Sequence, residues 1–498
     1  MQLNIKTRAF NFFLGTVLAT LLCTFESKAQ LITPASYTST AKMNYIRVWD
    51  VSAPLASEND IDTKGLKDVK VKTDYFDGLG KPIQTVMKQG SLATVGSATD
   101  QVSTVLYDQQ GRQKYKHLTY GEATVDNGLF KLNPFSSQVI FYNNQLSGQL
   151  GETNVGPNNL NWAYTQTNFE ASPLNRAEEA FAPGLNWVGS SGNTPESARR
   201  SVKMKYWNNT GLDAVRIWNV TSQGTGSFGT YATGGIYAAG ELDKNVTVDE
   251  RNKQVIEFKD KEGKVILKKV QVAAVSDNGS GTDHNPDNWA CTYYIYDQFN
   301  NLRAVLQPEA VKWLAANNWN LNEGSPNGAI ISSILKEQCF RYEYDQRNRM
   351  IMKKVPGAAA VYMIYDNRDR MILTQTGTMS EFSFSGDNTM HAQWQYTEYD
   401  QLNRPCRTSL IALSGVTGYV AGPALLAVNF NATFYGEAIQ NISTYFGGYG
   451  YTIADEYGPW ILTETFYDNY NWAVAAGMSA QIPAGDIAYS SSEFIQPS

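Results

Sequence analysis

Residues 339–371 read CFRYEYDQRNRMIMKKVPGAAAVYMIYDNRDRM, and the fold is read outward from here. One phrase stands in it twice. Tyr344-Asp345-Gln346-Arg347-Asn348-Arg349-Met350 is followed, 21 residues on, by Tyr365-Asp366-Asn367-Arg368-Asp369-Arg370-Met371. Phe340, Tyr342 and Tyr344 alternate with Arg341 and Glu343, and beyond the polar centre Met350 and Met352 alternate with Ile351 and Lys353. A period of two means strands with one drier face. Asp345 can accept from a backbone N–H two residues on. Asn348 stands where a tight loop needs positive φ, which Gly, Asn and Asp tolerate best. The phrase is a hairpin with its turn chemistry written in.

Further copies follow the pattern Tyr-Asp-x-x-[Gly/Asn/Asp]-[Arg/Lys]. The turn pairs are Asp77 with Gly80, Asp108 with Gly111, Asp260 with Gly263, Asp297 with Asn300, Asp345 with Asn348, Asp366 with Asp369, and Asp400 with Asn403. DERNK (249–253) keeps the turn without the Tyr, and Tyr467 to Asn471 is a degenerate last copy. Nine copies in one chain are the mark of a stacked architecture, although their irregular spacing excludes a solenoid of fixed period.

These phrases resemble the RHS/YD-repeat family. YFDGLGKPIQ (75–84), FEASPLNR (169–176), APG (182–184), CFRYEYDQRNRMIMKKVPG (339–357) and LTETFYDNY (462–470) are similar to the N-terminal region of secreted RHS-type proteins of Gram-negative bacteria, over roughly residues 40–475. The resemblance implies a β-sheet that spirals into a hollow shell, which encloses a toxin or displays a surface domain. Ser498 falls where that family begins its main array. The expectation is therefore the front part of such a wall, or an accessory part of a toxin-delivery protein. Its partners are then a downstream RHS-repeat polypeptide or a cell-surface glycan.

Composition agrees with a β protein: 29 Tyr, 40 Gly and only 18% charged residues in 498. A net charge of −6 gives no basic surface for nucleic acid. Residues 1–29 read as a secretory signal, with Lys6 and Arg8 before an apolar core and Ser27-Lys28-Ala29 as the cleavage site. The chain is then exported by the general secretory route to the periplasm, outer surface or medium. No later run is long enough for a membrane span.

The expected class is mainly β: antiparallel YD-repeat hairpins in a large curved or spiralling sheet, with two short helices inserted near 308–337. The expected segments are the signal (1–29), an N-terminal β region (30–290), a YD-repeat sheet with the helical insert (291–409) and a Gly/Ala-rich C-terminal segment (410–498). One helix starts at Pro308 with Glu309 in its first turn. The other has Ile330, Ile331, Ile334 and Leu335 on one face. Residues 135–146 suit a helix or a strand.

No catalytic, cofactor-binding or metal set emerges, and the expectation is a structural or interaction protein, not an enzyme. His117, His284 and His391 are scattered, and no Gly-x-Ser-x-Gly phrase is present. Cys291, Cys339 and Cys406 read as buried strand residues; a disulfide between Cys291 and Cys339, which occupy equivalent strand positions, is the alternative. Asp277–Asp287 is oxygen-rich, as calcium requires, but lacks the spacing of a calcium loop and reads as a solvated loop. Arg341, Arg347, Arg349, Arg368 and Arg370 could meet an anionic glycan, but suit paired or solvated hairpin positions better.

Overall fold

The structure is a computed structural model that describes residues 36–40, 42–52, 61, 64–91, 98–123, 125–144, 162–191, 194–380, 392–415, 418–419, 422–426, 446–448, 450–453 and 459–467. The signal, His391, most of 416–458 and the last repeat beyond Tyr467 lie outside the described residues. Two compact units divide the chain, one of Met1–Tyr206 with Asn245–Val255 and one of Trp207–Lys244 with Ile256–Ser498. Each is described by itself.

The first unit is an antiparallel ladder. Its strands are β1 (Asn44–Val51), β2 (Val69–Phe76), β3 (Pro82–Met87), β4 (Gln101–Leu106), β5 (Tyr115–His117), β6 (Tyr120–Gly121), β7 (Tyr164–Phe169), β8 (Ala177–Phe181) and β9 (Val202–Asn208). β1 to β4 pair in sequence, β4 also pairs β5 and β6, and β5, β7, β8 and β9 continue the ladder. Tyr75, Val86, Val102 and Tyr120 form one core. The described part of 135–146 is helical: α1 spans Pro134–Asn144. Its Gln138 donates to Leu118 O at 2.6 Å and Ala163 O at 3.1 Å, and shares a 2.8 Å bond with Nδ1 of His117. That histidine is a buried packing residue.

The second unit begins with a two-stranded ribbon, β10 (Arg216–Thr221) and β11 (Thr230–Ile236). β12 (Asp243–Val248) and β13 (Gln254–Lys259) carry the chain out to the first unit and back. Then come β14 (Val265–Gln271), β15 (Trp289–Tyr296), β16 (Leu302–Leu306), β17 (Cys339–Tyr344), β18 (Met350–Lys354), β19 (Val361–Tyr365), β20 (Met371–Gln375), β21 (Gln393–Tyr399) and β22 (Pro405–Gly415). Each pairs antiparallel with the next. β22 also pairs β23 (Gly418–Tyr419), β24 (Thr452–Ile453) and β25 (Trp460–Glu464). The fold is mainly β with a large antiparallel sheet, as the alternation of apolar residues demanded. Trp394, Tyr396, Ile372, Leu373, Ile411 and Leu413 fill its core.

The two expected helices are α2 (Pro308–Ala316) and α3 (Gly328–Glu337). They bridge β16 and β17, which still pair directly, Leu306 opposite Cys339. One expectation needs correction. Ile330 is half exposed, and α3 buries only Ile331, Ile334 and Leu335, because a helix on a sheet buries one stripe. Positions 290/291 lie within β15 and 409/410 within β22.

Candidate functional site

The turn residues do not gather round a cleft. Each sits at its own hairpin, and eight hairpins share one geometry. Asp345 Oδ1 accepts from Arg347 N at 2.9 Å and Arg349 N at 3.0 Å, while Asn348 N donates to Asp345 O at 3.0 Å. Asp77, Asp108, Asp249, Asp260, Asp297, Asp366 and Asp400 each accept from the same two backbone donors. Three residues after the Asp, φ is positive at Gly80, Gly111, Asn252, Gly263, Asn300, Asn348, Asp369 and Asn403. Asn348→Val, which puts a β-branched residue at φ 58°, is expected to cost about 1–2 kcal/mol. An unchanged urea midpoint would count against strain at this position.

The basic residue and the Tyr serve the neighbouring hairpin. Arg349 closes on its own Asp345 at 2.7 Å, and also donates to Asp369 Oδ1 at 2.8 Å in the next turn. Its guanidinium lies 4.9 Å from the ring centre of Tyr365, whose hydroxyl donates back to Met350 O at 2.9 Å. Arg370 repeats this with Asp366, Asn403 and Tyr399, and Tyr399 returns to Met371 O. Arg404 and Tyr467 continue it, with Tyr467 donating to Pro405 O at 3.1 Å. Lys264 reaches Asn300 and Tyr296 in the same manner. In the first unit Lys81 reaches Gly111 O and Tyr107, and Tyr107 returns to Pro82 O. The turns headed by Asp77, Asp260, Asp345, Asp366 and Asp400 thus grip the hairpin that follows, at about 0.5–1 kcal/mol for each exposed cation–π contact and about 1 kcal/mol for each hydroxyl bond.

Glu170 heads a ninth turn that the repeat pattern missed, since its loop is two residues longer. Glu170 N donates to Arg176 O, Asn175 has φ 53°, and Arg176 meets both carboxylate oxygens at 2.8–3.0 Å. The Arg176 hydrogen bonds hold the Glu170 carboxyl down to about 2 against an ordinary 4.5. A carboxylate with a lowered folded value contributes stability above the unfolded value and loses it as pH falls through the folded one. Acid is therefore expected to loosen this turn between about pH 4.5 and 2, read as the Glu170 carboxyl titration by NMR. A midpoint near 4.5 would contradict the pairing.

The second unit also holds a buried charge cluster beneath the 277–287 loop, of which Asp277 and Thr282 are buried while Asn278, Ser280, Asp283, Pro286 and Asp287 are exposed. Lys244 and Lys269 are fully buried strand residues, and Asp213 and Asp277 are buried with them. Lys244 Nζ lies 2.9 Å from Asp213 Oδ1 and 2.5 Å from Asp277 Oδ2. Lys269 Nζ donates to Thr282 O at 2.7 Å, Thr282 Oγ1 at 3.1 Å and Asp283 O at 3.1 Å. The oxygens of Asp277, Thr282 and Asp283 thus face two lysine nitrogens. Among the described residues no group of three His, Cys, Asp or Glu side chains is placed to hold a metal. Burial lowers Lys269 to about 8 and His284 to about 2. His284 shares a 2.8 Å bond with the Tyr293 hydroxyl.

Burial raises Cys291 to about 11 and Cys339 to about 12, so both stay protonated. All three described thiols are free. β16 lies between Cys291 and Cys339: Leu306 is opposite both Tyr293 and Cys339, and Cys291 is two residues further along β15, so the thiols are more than two strand spacings, about 10 Å, apart. A cleft of about 550 Å³ opens beside the Asp345 turn, lined by Tyr344, Arg347, Arg349, Tyr365 and the Gly-rich 222–227 loop. Its carboxylates are engaged: Glu343 by Arg303 and Gly229 N, and Asp345 by Arg349. Arg347 and Arg349 both meet Asp369, and Arg368 and Arg370 both meet Asn403, so the arginine cluster is cross-hairpin paired. Arg341 is buried and donates to Gly229 O.

Residues 47–201 match a family described as Domain of unknown function (DUF6443). No curated protein matches. Among solved structures the chain is similar to one titled "Crystal Structure of TcdB2-TccC3-Cdc42", at 13% identity and TM-score 0.39, covering 74% of this chain and 14% of that one. "Crystal Structure of TcdB2-TccC3-TEV" is similar at 12% identity and TM-score 0.39, covering 81% and 17%. A Photorhabdus luminescens Tc holotoxin pore is similar at 11% identity and TM-score 0.37, covering 69% and 12%. The chain spans about a seventh of the length of the first of these.

The matched domain contains the turns headed by Asp77, Asp108 and Glu170. No helix among the described residues is long and apolar enough to cross a membrane. The forward grip of one turn on the next had one sequence signal, the joint recurrence of Tyr and Arg/Lys round the Asp. A turn closed by Asp alone needs neither.

Proposed function

We propose that this protein is an exported, non-enzymatic β-repeat scaffold, the front part of an RHS-like wall that accepts a further repeat polypeptide or a surface partner. The observation that carries this reading is the chain of grips from turn to turn. The recurrent Asp, Arg and Tyr residues are spent on joining hairpins, and the cleft carboxylates sit in ion pairs. Purified protein is expected to turn over none of a panel of glycans, esters and peptides. Turnover that disappears on replacing one carboxylate or serine overturns the reading.

The cleft beside Asp345 favours a second reading, a carbohydrate-binding surface module, because Tyr344, Tyr365 and Arg347 offer rings and donors to a sugar. A glycan array at background removes it.

A further inference from the structure

We infer that Lys244 and Asp277 become joined by an intramolecular isopeptide bond, with Asp213 moving the protons. The nucleophile is in place. Lys244 Nζ lies 2.5 Å from Asp277 Oδ2, closer than the usual 2.7–2.9 Å of an ammonium–carboxylate hydrogen bond. The same nitrogen bonds both oxygens of Asp213, at 2.9 and 3.1 Å.

The two carboxylates differ in a way that assigns their roles. Asp277 Oδ1 accepts from Gly279 N at 2.8 Å, a backbone donor that polarises the carboxyl as an oxyanion site does and leaves Oδ2 towards the lysine. Asp213 is clamped by Thr210 N at 2.8 Å, Thr210 Oγ1 at 3.1 Å and Thr282 N at 3.0 Å. It is held as a proton relay rather than as the group attacked.

The surroundings favour the product. Lys244, Asp213 and Asp277 are buried, and the rings of Phe258 and Trp207 stand 5.5 and 5.8 Å from Nζ. Water is kept from the amide once it forms. Fixed proximity replaces a bimolecular encounter.

The step balances. Lys244 passes a proton to Asp213, the amine nitrogen forms its bond to Asp277 Cγ, and the Cγ–Oδ2 bond breaks. Oδ2 leaves as water with two protons from the original ammonium. No oxidant or cofactor is needed. Asp213 and Lys269 remain as a balanced buried pair of charges. The cross-link ties β12 to the loop after β14.

Wild-type protein is purified, denatured and digested with trypsin, and the peptides are weighed. The expected result is a branched pair carrying Lys244 and Asp277, lighter than the two linear peptides by one water, with no cleavage after Lys244. Linear peptides with both side chains unmodified overturn the proposal. Asp277→Ala and Asp213→Ala are each expected to give only linear peptides. Since the deciding readout is on the wild-type chain, a variant that fails to fold leaves the test intact.

Discussion

Replacing Lys244 with Met is expected to lower the unfolding free energy by at least about 3–5 kcal/mol, the cost of leaving two buried carboxylates without their lysine, and loss of the inferred Lys244–Asp277 cross-link adds to it. The change strands Asp213 and Asp277, both buried, without the cation between them. Met has nearly the right length to fill the space, so lost charge dominates over lost volume. The triple variant Lys244→Met, Asp213→Asn, Asp277→Asn recovers part of the loss, because an all-neutral cluster has no uncompensated charge. Urea unfolding of the single and triple variants is the measurement. A single variant within about 1 kcal/mol of the parent would mean that the cluster is hydrated.

Asp366→Ala is expected to cost about 3–5 kcal/mol by the same physics. Asp366 is 1% exposed and accepts from Arg368 N, Arg370 N, Arg370 Nε and an Arg370 terminal nitrogen at 2.6–3.0 Å. Its loss takes the carboxylate from a buried guanidinium, which keeps Asn403 and Tyr399, and strands two turn donors. The same change at the half-buried Asp345 is expected to cost less, about 1–3 kcal/mol, because water can reach the stranded groups. Equal effects at the two sites would show that burial does not set the worth of these turns.

What could be read beforehand was local. An Asp that bonds the backbone two residues on, and a Gly or Asn that accepts positive φ, act within five residues. Asp108, Asp345 and Asp400 therefore named their own hairpins. β13 and β14 were legible for the same reason, since turns punctuated their alternation. What was hidden lay across space. Arg349 is a polar residue at a strand start until Asp369 and Tyr365 are known to lie beside it. Lys244 and Lys269 carried no signal of burial, which rests on partners distant in the chain: Asp213 and 277–283. Glu170 escaped because a longer side chain and a longer loop solve the same closure with different spacing. Ile330 was placed on the buried stripe because four neighbouring apolar residues do not reveal which one the sheet leaves out.

The direct pairing of Leu306 with Cys339 across a helical excursion has an evolutionary corollary. A ribbon whose joints form between whole corners can be lengthened by copying a corner, or decorated by inserting a stretch between two strands, without redesigning either side. Irregular repeat spacing is then the record of tolerated additions, and a gene of this kind can grow by tandem duplication while every intermediate still folds.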